Sequence, residues 1–155
     1  MIKEGIQIVE FEGVVRIKAP RQKVWDFLTD PNLVCQCAPA LKSVEIIVPD
    51  KQFKAVAGIG FGSVQVVFVT EAEWLELNPP DHARMFAHGD APGSCVDIKS
   101  DMYLSDGEDG ITELKWIADV VVVGTIASLA SRLMGGATKK LTGAFFDCVR
   151  SKIEA

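Results

Sequence analysis

A chain of 155 residues is the size of one domain, spanning 1–155, and is long enough to bury about two thirds of the surface its unfolded form exposes. Its formal charge of −5 at pH 7 excludes nucleic acid as the main partner, because phosphate binding needs a concentrated basic face. No apolar run approaches the roughly eighteen residues that a spanning helix needs, so any membrane contact is expected to be peripheral.

In chain order, the first element is a strand: Val9, Phe11, Gly13, Val15 and Ile17 alternate with Glu10, Glu12, Val14, Arg16 and Lys18. Ala19-Pro20 ends it, and Pro20 is suited to start a helix over Arg21 to Thr29 with Val24, Phe27 and Leu28 on one side. Asp30-Pro31 stops that helix and starts a second short one running through Cys37. Alternation then resumes in six further strands. They are centred on Val44 to Val48, Phe53 to Ile59, Val64 to Glu76, His82 to Gly89, Cys95 to Ser105 and Ile111 to Val123. Short turns rich in Pro, Gly, Asn and Asp separate them, so neighbouring strands must be antiparallel.

The last stretch, Thr125 to Ala155, reads as one long amphipathic helix with Thr125 as its N-cap. Ile126, Leu129, Ala130, Leu133, Ala137, Leu141, Ala144, Phe145 and Cys148 share its apolar face, and Arg132, Lys139 and Arg150 fall opposite. The predicted fold class is α+β: a curved seven-stranded antiparallel sheet wrapped around a long C-terminal helix, with two short helices after the first strand. A straight helix touches a curved sheet unevenly, which leaves an apolar cavity between them.

Candidate chemistry is sparse. Gly58, Gly60 and Gly62 lie between two strands rather than between a strand and a helix, so they read as a bend or hairpin and not as a phosphate loop. Phe61, set among them, is a candidate gate at the cavity mouth. Cys35, Cys37, Cys95 and Cys148 follow neither zinc nor disulfide-framework spacing, and no secretory leader opens the chain, so reduced thiols in the cytoplasm are expected. No metal and no cofactor is implied. His82 and His88, with Asp81, Asp90 and Asp97 near them in sequence, are the available acid or base groups, but no nucleophile accompanies them at a recognisable spacing. Gly135-Gly136 weakens the long helix by about 2 kcal/mol relative to alanines. The pair is either a kink that follows the sheet or a hinge that lets the helix lift.

Strand parity supplies the expected lining of the cavity. Trp116, Ala118 and Val120 look toward the helix from the last strand, and Phe68, Met85 and Met102 join them from the others. Leu129, Leu133 and Ala137 close the space from the helix, with Phe61, Gly135 and Gly136 as its gate. Phe146, with Arg132, Lys139 and Arg150, is a candidate contact for anionic lipid or a protein.

Taken together, Gly13, Ala19-Pro20-Arg21, Val24-Trp25, Asp30-Pro31, Cys37-Ala38-Pro39, Gly107, Gly110, Trp116 to Val120, Gly124, Ile126-Ala127, Arg132-Leu133 and Phe145-Phe146 resemble the CoxG family, the G subunit of carbon monoxide dehydrogenase. That family sits in the START-like, or polyketide-cyclase-like (SRPBCC), superfamily, and this chain carries Pro39-Ala40 where Pro-Gly is usual. The resemblance implies a helix-grip fold and a noncatalytic carrier of a hydrophobic small molecule, lipid or quinone-like. It also implies service to a molybdenum-containing dehydrogenase at the inner face of the membrane; some members continue into an apolar anchor, and from the stop at Ala155 none is expected here. Two alternatives stand beside it. One is a cyclase or dehydratase using His88 or a carboxylate in the cavity, and the other is a protein-partner adaptor with a filled interior.

Overall fold

A computed structural model describes residues 6–37, 41–49, 51–61, 64–125, 127 and 136–154. Seven strands form one antiparallel sheet: β1 (Ile6–Ile17), β2 (Leu41–Val48), β3 (Gln52–Phe61), β4 (Val64–Asn78), β5 (His82–Ala91), β6 (Ser94–Asp106) and β7 (Thr112–Gly124). Two short helices, α1 (Arg21–Leu28) and α2 (Pro31–Val34), follow β1, and α3 (Gly136–Ile153) ends the chain. Around the sheet the order is β1-β7-β6-β5-β4-β3-β2, so every connection is a hairpin except those that the helices make. Bulges in the β2–β3 and β4–β5 ladders add bend to one side.

Period-two alternation sets the two faces. On β7, Thr112, Leu114 and Val122 are buried while Lys115, Asp119 and Val123 are exposed, as the alternation predicts. The largest core cluster joins Ile17, Leu114, Leu104 and Ala83 of the sheet to Val24, Trp25 and Phe27 of α1 and to Phe146, Val149 and Ile153 of α3. A second, smaller cluster of Phe68, Val122 and Ala127 lies toward the other end of the same face.

Local chemistry explains the corners. Asp30 caps α2 by accepting from Asn32 N–H at 2.9 Å, and Pro31 occupies its first turn. Thr112 Oγ1, fully buried, donates to Ala19 O at 2.6 Å and ties the start of β7 to the β1–α1 corner. Gly13 is demanded by close approach, since a Cβ there would stand 2.7 Å from the Trp116 indole nitrogen across the β1–β7 ladder. Gly124 leaves the sheet at φ 109°, and a Cβ would fall 2.1 Å from Gly93 O. Thr125, expected as an N-cap, has its N–H on Gly93 O at 3.1 Å.

Two expectations about the C-terminal region change. The core stripe of α3 is Phe146, Val149 and Ile153, at steps of three and four, with Phe145 and Cys148 on its flank and Ala144 exposed. The helix is therefore rotated by about one residue from the predicted face, and Phe146 packs on Trp116 with ring centres 6.2 Å apart rather than facing lipid. Cys37 and Cys148 also form a disulfide, with Cα atoms 5.4 Å apart, in place of the reduced thiols expected at those positions. Their separation of 111 residues hides the pairing from any local spacing rule. Ile126, Leu129, Ala130, Leu133 and Arg132, and Gly135 of the hinge pair, lie outside the described residues.

The last turns of α3 are fastened to the sheet edge. Arg150 Nε donates to Arg16 O at 3.1 Å, and Lys18 N–H donates to Glu154 Oε2 at 2.8 Å.

Candidate functional site

Between the two core clusters the inner face of the sheet carries three cross-strand rows. The first runs Phe11, Ala118, Ser100, Met85, Trp74. The second runs Val9, Val120, Ile98, Ala87, Ala72, Phe53. The third runs Val122, Val96, Gly89, Thr70, Ala55. Their centre is built from small side chains: Ala118, Ser100, Ala87, Ala72, Gly89 and Ala55. Ala55, Ala72 and Ala87 are nonetheless buried, so this floor is covered while contributing little volume of its own. Small residues at the middle of a sheet, with bulky ones at both ends, leave a shallow trough along it.

No residue in the three rows ionises near neutral pH. The polar atoms they offer are the hydroxyls of Thr70 and Ser100, and Met85 contributes a polarizable thioether. Such a surface desolvates an apolar ligand and can donate a hydrogen bond to one of its oxygens, but it holds no group for proton transfer.

Phe53 and Trp74, with ring centres 6.5 Å apart, end two of the rows on the β3–β4 side. Beyond them opens a cleft of about 360 Å³ between the α1–α2 corner and the β2–β3 hairpin. Asp26, Thr29, Asp30 and Asn32 line one wall, and Lys51 and Gln52 the other. The rows thus make an apolar floor, Phe53 and Trp74 stand at its β3–β4 end, and the polar cleft lies on their far side.

The expected lining residues separate. Met85, Ala118 and Val120 belong to the floor, and Val120 also packs on the smaller cluster. Phe68 is the centre of that smaller cluster, and Met102 and Trp116 pack against the larger one, so these three form the end walls. Leu129 and Leu133 lie outside the described residues, Ala137 falls in the first turn of α3, and Gly136 is its first residue. Phe61 is the last residue of β3. Sequence reasoning missed Ala55, Ala72, Ala87, Ser100 and Thr70. Parity alone would have found them had small inward residues been sought across all strands.

The titratable groups considered for catalysis are on the outer face. His88 stands opposite Asp97 and Glu71 in the ladders, with buried Ala87 and Gly89 on either side of it. It hydrogen-bonds to Asp97 through Nδ1 and to Asp90 through Nε2 at 2.9 Å, and these bonds, led by Asp97, raise its pKa. His82 meets Asp101 at 2.8 Å and stacks on Tyr103 with centres 4.6 Å apart. For Asp101, burial pushes the carboxyl up, but hydrogen bonds from His82 and Arg84 outweigh it and hold the group below the usual carboxylate range. Asp81 pairs with Arg21 at the β4–β5 turn. Both histidines are thus occupied by carboxylates on the side away from the floor. Among the described residues no cluster of three or more His, Cys, Asp or Glu side chains could hold a metal ion. No described helix is long and apolar enough to cross a membrane.

The sequence profile of the carbon monoxide dehydrogenase G subunit (CoxG) matches residues 13–154. Among solved structures, a conserved protein from Geobacillus kaustophilus superposes with a TM-score of 0.84 at 26% identity, over 94% of this chain and 95% of that one. The Zhui aromatase/cyclase from Streptomyces sp. R1128 gives 0.70 at 14% identity, over 96% of this chain and 94% of that one. A truncated norcoclaurine synthase from Thalictrum flavum gives 0.63 at 9% identity, over 99% and 98%. The last two likenesses establish the helix-grip fold alone. No curated protein sequence matches the chain.

Proposed function

Because the chain belongs to the CoxG family, the G subunit of carbon monoxide dehydrogenase, and because its inner sheet face is apolar, small at the centre and free of titratable groups, we propose that it is a noncatalytic carrier of a hydrophobic small molecule. The trough takes the apolar body of the ligand, and each buried CH₂ contributes about 0.8 kcal/mol. One hydroxyl of the floor, that of Thr70 or that of Ser100, meets an oxygen of the ligand, as a quinone-like head group would offer. The polar mouth at Asp26, Asp30 and Lys51 stays hydrated and marks the route in.

The observation that carries this reading is the absence of any ionisable side chain from three consecutive rows of the floor, with His88 held on the opposite face by Asp97 and Asp90. A cyclase or dehydratase working through His88 would need that imidazole on the inner side. The family name supports a further proposal: the carried molecule is exchanged with a molybdenum-containing dehydrogenase, in the cytoplasm and in peripheral contact with the membrane.

The test is extraction of the purified protein with organic solvent, followed by mass spectrometry, and titration of the stripped protein with decylubiquinone. A co-purified quinone or lipid, together with saturable quenching of Trp74 and Trp116 emission, supports carriage. An empty extract with no saturable quenching refutes it.

A further inference from the structure

The disulfide joins the two walls that border the floor. Cys37 ends the turn that follows α2, and the α1–α2 corner forms the polar wall of the mouth. Cys148 sits in α3, whose core stripe packs into the larger cluster at one end of the floor. The two sulfurs differ in access, because Cys37 is 4% exposed within the larger cluster whereas Cys148 lies on the half-buried flank of the helix. Downstream of Cys148, Arg150 and Glu154 fasten α3 to the edge of β1. The disulfide is therefore the only described covalent tie of α3, and it precedes those two polar ties along the helix.

We propose that Cys37–Cys148 is a thiol–disulfide exchange site whose substrates are thiol reductants, and that opening it loosens α3 at the end of the floor where it packs. The thiolate of a small thiol attacks the more accessible Cys148 Sγ. A new S–S bond forms there, the Cys37–Cys148 bond breaks, and the electron pair leaves on Cys37, which takes up a proton. A second thiol attacks the sulfur of the first, expels Cys148 as a thiolate that is then protonated, and departs as the oxidised dimer of the small thiol. Two thiols supply the two electrons and the two protons, and the protein gains two thiols. Reduction frees α3 from the α1–α2 corner while Phe146, Val149 and Ile153 keep it on the core, so the expected change is local opening rather than unfolding. Its effect on ligand traffic rests on the carrier reading.

Amide hydrogen exchange is measured on the oxidised protein, on the dithiothreitol-reduced protein and on Cys148→Ser, with the linkage verified by peptide mapping without reductant. Release of 1-anilinonaphthalene-8-sulfonate is followed in parallel. Loss of protection in α3 and residues 31–37 that exceeds the uniform loss across the sheet, the same in reduced protein and in Cys148→Ser, supports the exchange site, as does a several-fold faster release of the probe. Unchanged α3 protection overturns it, and so does a loss in α3 no greater than that of the sheet, which would make the bond a structural staple. Probe bound and released at one rate in both states removes the coupling to ligand while leaving carriage intact. No probe uptake in either state counts against carriage, and the exchange data then decide the loosening of α3 by themselves.

Discussion

Ala87 sits on the central strand of the sheet, between Ala72 and Ile98 in the second row, and is already buried. Replacing it with leucine adds three carbon atoms with no exposed surface to occupy. If the small-residue trough is empty space, those carbons fill it and gain about 2.4 kcal/mol at about 0.8 kcal/mol each. For a chain of this size that raises Tm by roughly 5 to 10 °C, at about 2–4 °C per kcal/mol. If the floor is instead tightly packed, the same change strains its neighbours and costs about 1–3 kcal/mol. The two possibilities differ in sign. Scanning calorimetry of the stripped Ala87→Leu protein is expected to show a higher Tm, and decylubiquinone titration is expected to show weakened quenching of Trp74. A lower Tm with undiminished quinone uptake would refute the existence of a ligand space over the second row.

Four further outcomes are expected. Gly13→Ala drives a methyl group into the Trp116 indole, costs about 1–3 kcal/mol in urea unfolding, and shifts tryptophan emission; a silent substitution would show that the indole does not lie across β1. Thr112→Val orphans Ala19 O inside the core and costs about 1–3 kcal/mol, while Thr112→Ser keeps most of the stability. His88 has a folded pKa raised by Asp97 and Asp90, so its contribution is full below the unfolded value of about 6.5 and is lost as pH rises through the folded value. The Tm difference between wild type and His88→Gln, measured at intervals of about one pH unit, should therefore shrink as pH rises above about 6.5, and a difference independent of pH would discount the ion pairs. Cys37→Ser removes a cross-link spanning 111 residues; the chain-entropy account sets the loss at about 4–5 kcal/mol, checked by denaturant unfolding of oxidised wild type against the variant.

Strand alternation carried most of the fold in plain view. Val9 to Ile17 on β1 and Thr112 to Val122 on β7 show the period of two that a half-buried sheet imposes, and Pro20, Asp30 and Pro31 mark the short helices by backbone chemistry. The α3 face was harder to place. Phe145 and Phe146 are adjacent and both apolar, so projection alone could not decide which leads, and only packing on Trp116 selects Phe146. The disulfide was illegible because nothing near Cys37 foretells a partner in the last helix. Floor residues such as Ala87 escaped for another reason: hydrophobicity arguments look for large side chains, whereas this floor is built from small ones.

The fastening of the C-terminal turn to β1 also protects the molecule from itself. An outermost strand offers unpaired amide and carbonyl groups on which another chain can add, the usual seed of fibrous assembly. Arg150 occupies Arg16 O and Glu154 takes the Lys18 N–H, so the ladder is plugged where β1 meets the α1 corner. Trimming the protein before Arg150 would leave the core stripe short of Ile153 and unplug that strand at once, turning a guarded edge into a template for polymerisation.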